Sequence, residues 1–154
     1  MNRFAEALYS VVIALWVGGL FAIGYLVAPV LFGQLADRTL AGNLAGTLFT
    51  LMALFGMACA GYLLLYLLFR RGWRAFQCSV FWIVLAMLAL TAAGHFGIQP
   101  VIAQIKAEAV QHVASRAAEL DRRFATWHGI SMSLYSLVSL LGVWLVVWQE
   151  RGKH

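Results

Sequence analysis

Charged residues are scarce in this sequence. Six acidic and eleven basic side chains make up 11% of its 154 residues, where a soluble domain carries about 25%. From Thr39 to Phe69 there are thirty-one residues without one Asp, Glu, Lys or Arg. A soluble fold is excluded by that gap, because a helix of about 20 residues already crosses the hydrocarbon core of a bilayer. The chain also lacks a nucleophile–base–acid constellation, a phosphate-binding glycine loop and any pair of carboxylates inside an apolar run. Nothing in it points to a specific enzyme. Cysteine occurs twice, at Cys59 and Cys78, expected at depths about two helical turns apart and therefore unable to meet bridging geometry.

What is present is hydrophobic: 63% of the residues, with a mean hydropathy of +0.84. The expectation is an all-α integral membrane protein, a single domain over residues 1–154 built as an up-down bundle of four transmembrane helices. The spans are placed at about 7–31, 39–69, 75–97 and 124–148. The first is taken as uncleaved, since the apolar run after Glu6 continues to Phe32 without a convincing small-residue cleavage site. Pro29 is expected to kink or stop it. Asp37 is placed to cap the second span by accepting from its unpaired N–H groups. Gln99 and Pro100 are expected to close the third.

Between spans three and four the chain turns charged while Ile102, Ile105, Ala109, Val113, Ala117 and Leu120 recur every three or four residues. That spacing predicts an amphipathic helix over about 100–121, lying on the membrane surface or extending span four. Small residues mark helix-packing stripes: Gly18 in span one, then Gly42, Gly46 and Gly61 in span two. Four spans put both termini on one side with Arg70, Arg71 and Arg74. That short arginine-rich turn predicts cytoplasmic termini in an inner membrane. The net charge of +5 comes from residues at span ends, so the predicted partner is the bilayer, with a homo-oligomer or another membrane protein beside it, and no nucleic acid.

Two histidines fall inside spans, where ionisable groups are functional candidates. His95 shares a polar row with Thr91 and Gln99. His128 is followed by Ser131, Tyr135 and Ser139. Antiparallel spans would bring both histidines to similar depth. Such a pair has three readings: hydrogen bonds to neighbouring helices or headgroups, ligation of haem or a transition metal, or proton handling. Asp37 and Arg38 would form the mouth of a small polar site beside them. His112 and His154 are expected to be exposed. The serines of span four read as interhelical glue or as the lining of a polar path.

Several stretches stand in a familiar order: Trp16-Val17-Gly18-Gly19-Leu20-Phe21, Ala28-Pro29, Asp37-Arg38 with Ala41-Gly42 and Ala45-Gly46, and Phe124-Ala125-Thr126-Trp127-His128-Gly129-Ile130-Ser131. Together they resemble the transmembrane-protein-205-like family, small four-helix membrane proteins without an established reaction, one vertebrate relative being linked to resistance to a platinum drug. The first span also resembles that of copper-resistance D-type membrane proteins, but Tyr9 stands where those carry a histidine. The resemblance implies a multi-pass membrane protein acting in envelope maintenance or small-solute or metal tolerance. A haem- or metal-binding protein using His95 and His128, and a homo-oligomeric transporter, are the alternatives.

Overall fold

The computed structural model of the chain describes residues 3–111 and 117–151, and all of them are helical except residues 35–37 and Cys78. Helix α1 (Arg3–Phe21) passes through a π-helical segment (Ala22–Val27) into α2 (Ala28–Gln34). After the linker comes α3 (Arg38–Arg71), then a 3-10 turn (Gly72–Gln77) and α4 (Ser79–Ala92). A second π segment (Ala93–Ile98) leads into α5 (Gln99–Gln111), and α6 (Ala117–Arg151) completes the order. Among the described residues four helical stretches are long and apolar enough to cross a membrane: Arg3–Gln34, Arg38–Gln77, Ser79–Glu108 and Ala118–Gln149.

The ends of α3 follow local chemistry. Asp37 Oδ1 accepts from the N–H groups of Thr39 at 2.8 Å and Leu40 at 3.1 Å, the cap expected of it. At the other end Gly72 takes φ of +52°, a conformation that costs a residue without a Cβ little. The 3-10 turn then occupies Gly72–Gln77 and delays the third span to Ser79. Cys78 therefore precedes that span instead of lying a turn inside it. Both cysteines are free, and Arg71 donates to Cys78 Sγ at 2.8 Å.

Pro100 does not close the third span. Proline removes one helical hydrogen bond and its ring presses on the carbonyl four residues back. Here the preceding turn is widened: the Gln99 N–H bonds to the carbonyl of Gly94, five residues back, and the helix continues. Pro29 has the same solution, with the Ala28 N–H bonded to the carbonyl of Ile23. Both prolines of the chain thus follow a π segment by two residues. As a result α5, read from sequence as part of an amphipathic helix lying on the membrane surface or extending span four, continues the third span. The remainder of that segment, residues 112–116 with His112, lies outside the described residues, as does His154.

Helix α3 packs on α1 and α4, α6 packs on the same two, and α5 lies against α6. Their shared core holds Ile13, Trp16, Leu20, Met52, Leu63, Val84, Met87 and Leu145. A Cβ on Gly56 would stand 2.6 Å from Trp16 Nε1, and one on Gly142 3.2 Å from Val17. The stripe glycines read from sequence behave otherwise: Gly18, Gly46 and Gly61 have nothing within 4 Å of an added Cβ, and Gly42 makes only ordinary contact. Bulky partners sit over glycines elsewhere, which period alone does not reveal. Outward, Leu15, Leu26, Leu65 and Leu140 are each more than half exposed, an apolar surface of the kind that lipid covers.

Candidate functional site

A cavity of about 610 Å³ opens between α3, α6 and the α4–α5 stretch, with Trp16 and Leu20 of α1 closing its inner end. The volume lies within the range of roughly 300–1,000 Å³ usual for small-molecule sites. Along α3 its wall runs from Gly42 to Ala53, about 16 Å at roughly 1.5 Å per residue. The cavity is a slot lying along the helices.

Two cross-links fix its register. Thr50 Oγ1 donates toward Gln99 Oε1 at 3.0 Å, sharing its proton with the Gly46 carbonyl of its own helix. Two turns away, Lys106 Nζ lies 3.5 Å from both the Gly42 carbonyl and Asn43 Oδ1. Seven residues separate Asn43 from Thr50, and seven separate Gln99 from Lys106, so α3 and α5 run past each other in opposite directions. Both Lys106 contacts are long for hydrogen bonds. The ammonium also lies 6.0 Å from the centre of the Phe124 ring, on which His128 stacks at 5.6 Å with only 10° between planes. Phe124 thus gathers a lysine and a histidine at one end of the slot.

His95, on the second π segment, lines the same cavity. Its Nδ1 is buried and has no hydrogen-bond partner. A buried polar atom left unpaired costs about 1–3 kcal/mol, so the position is one that a bound group can relieve. Deeper still the lining becomes apolar, with Leu20, Met52, Leu90 and Val138 around Trp16. At the α1–α6 contact the Tyr135 hydroxyl donates to the Leu20 carbonyl at 2.6 Å. Its ring lies directly over Gly24, where a Cβ would collide with it.

The sequence-predicted residues separate into two groups. His95, His128, Thr91, Gln99, Ser131 and Tyr135 all line the cavity, as do Gly42 and Gly46. Asp37 and Arg38 do not, because the Asp37 carboxylate is spent on the α3 cap. Among the serines of α6, Ser133 and Ser139 donate to carbonyls of their own helix, a back-bond that leaves little for glue. Ser136 accepts from Tyr25 at 3.4 Å.

Sequence reasoning missed Lys106, Asn43 and Phe124 as site residues. Lys106 follows Gln99 by seven residues on one helical face, a signal hidden by ending the span at Pro100. Among the described residues no Asp or Glu lines the cavity, and the ion pairs, Glu6–Arg70 at 2.7 Å and Glu108–Arg123 at 3.7 Å, leave Lys106 out. Nor, among those residues, do three or more His, Cys, Asp or Glu gather as a metal centre would need.

Residues 11–111, about two thirds of the chain, match the family described as a domain of unknown function, DUF4149. No curated protein and no solved structure matches the chain.

Proposed function

The chain belongs to the DUF4149 family, a domain of unknown function, and from that premise we propose that it is a non-enzymatic membrane protein that holds a small amphipathic solute between its helices. The cavity carries this reading. It grades from Lys106, Asn43 and His128 at one end, through Gln99, Thr50 and His95, to Trp16 and Met52 at the other. A purely apolar gap would admit a lipid chain of any kind, whereas this one offers polar partners along part of its length and a charged group, Lys106, at one end.

The reading takes up the small-solute role expected from the sequence. Ligation of a metal by His95 and His128 is less favoured, since the Lys106 ammonium at the mouth repels a cation and no carboxylate among the described lining residues offsets it. Passage of solute between copies of the chain is also less favoured, because Gly42 and Gly46 line the cavity instead of an outer face. The up-down arrangement of the four spans, their inner-membrane location and cytoplasmic termini belong to the same proposal. The arginine-rich turn supports that orientation. Kinship with the transmembrane-protein-205-like family rests on the Trp16-to-Phe21 and Phe124-to-Ser131 stretches, the second of which lies beyond the matched residues.

Gly46 supplies the test. It lines the cavity and has open space where a side chain would begin, so Gly46→Leu seats its Cβ without a clash and extends into the slot. Purified in a nonionic detergent, wild type should show a saturable component, the part due to Trp16, in the quenching of its tryptophan emission by a medium-chain alcohol brominated at its far end. In Gly46→Leu the saturable part should vanish while the helical signal is kept. Equal, non-saturable quenching in both proteins would contradict the reading.

A further inference from the structure

The geometry points to an amphiphile with a single anionic head as the occupant of this cavity, its head held at the Lys106 end and its alkyl body lying along α3 toward Trp16. The inference rests on the solute-binding reading above and adds the chemical class. Charge complementarity carries it. Among the described residues Lys106 is the one lysine or arginine in the lining, and no Asp or Glu stands there with it. Its partners are neutral oxygens at 3.5 Å and the face of Phe124, none of which neutralises an ammonium. An anionic head arriving there would form a charge-assisted bond in place of two long ones.

The surroundings favour the same head. Asn43 and His128 stand beside Lys106 with groups able to donate, and the unpaired Nδ1 of His95 lies further along the slot. The Thr50 hydroxyl donates to Gln99 Oε1, and these two uncharged groups form a neutral collar between the polar and apolar ends. Beyond the collar the lining offers Leu20, Met52, Leu90, Trp16 and Val138. A cationic or zwitterionic head would bring a second positive charge against Lys106. A free inorganic anion would leave the apolar end unfilled.

A carboxylate and a phosphate monoester share this chemistry, and the experiment separates them. Alkyl chains of one length, brominated at the far end, carry an alcohol, a carboxylate, a phosphate or a trimethylammonium group. Each is titrated against wild type, Lys106→Met and Lys106→Arg in nonionic detergent, with the saturable component of tryptophan quenching as the readout and inorganic phosphate as a competitor.

The inference predicts that wild type binds at least one of the two anions about tenfold or more tighter than the alcohol, the size of a hydrogen bond to a charged group. The preferred anion identifies the head. Lys106→Met should bring that ratio close to one without weakening the alcohol, and Lys106→Arg should keep most of it, since the charge stays. Saturable alcohol binding with no preference for either anion overturns the anionic head and leaves the solute-binding reading in place. The same holds for a preference that survives in a folded Lys106→Met protein. Displacement of the carboxylate by inorganic phosphate as readily as by alkyl phosphate removes the alkyl body from the recognition. If no chain saturates in a folded protein, both readings fail together.

Discussion

At Gly24 and Gly56 a missing Cβ lets an aromatic ring lie on a helix backbone: Tyr135 on the first and Trp16 on the second. Alanine at either position forces a packed ring to move, and overpacking of that kind costs about 1–3 kcal/mol. Gly24→Ala and Gly56→Ala should therefore unfold at lower denaturant in micelles. Gly61→Ala, which meets nothing within 4 Å, should gain up to about 1 kcal/mol from helix propensity. Tyr135→Phe removes the hydroxyl that donates to Leu20 and should cost about 0.6–1.7 kcal/mol, the scale of interhelical hydrogen bonds in membranes. These differences were not legible in the sequence. A glycine's period places it on a stripe, but whether a ring covers it depends on rotation about the helix axis. The histidines were more legible: burial in an apolar run marked His95 and His128, and both line the cavity.

Among the elements, the two π segments decide most. A π turn behaves as one extra residue accommodated in an α-helix, and here each precedes a proline. Deleting Phe96, an exposed residue of the second π segment, should return that turn to α-helical form. The faces on both sides keep their register, so the protein should retain its melting temperature within a few degrees. Deleting Val84 from the regular part of α4 rotates every later residue by about 100° and should abolish folding. Both outcomes are read by circular dichroism during heating. The spans themselves were legible because apolar length is a property of the local sequence. Continuation past Pro100 was not, since proline reads as a stop unless the widened turn before it is known. That single misplacement turned α5 into a separate helix and hid Lys106 from the site.

For the whole molecule, exposed leucines of the first, second and fourth long helices, with Trp82 and Phe96 of the third, turn an apolar surface outward, and Arg70, Arg71 and Arg74 flank the Gly72 turn. With the orientation proposed above, a fluorescent protein fused after His154 should fluoresce, and alkaline phosphatase fused at the same place should stay inactive. The reverse pair of results would invert the topology while leaving the cavity untouched. The cavity is a property of the assembled fold: Gly42 and Lys106 are sixty-four residues apart in sequence and meet only when α3 and α5 pass each other. Composition could announce a membrane protein, but it could not announce where such segments cross.

The most direct test of that cavity is photo-crosslinking with a medium-chain carboxylate that carries a diazirine at its far end, followed by mapping of the modified residues. Occupancy of the slot predicts adducts on Trp16, Met52, Leu90 and Val138, all of them lost in Gly46→Leu. Adducts confined to Leu15, Leu26, Leu65 and Leu140, the outward leucines, and unchanged by Gly46→Leu, would mean that the chain meets such molecules only as surrounding lipid.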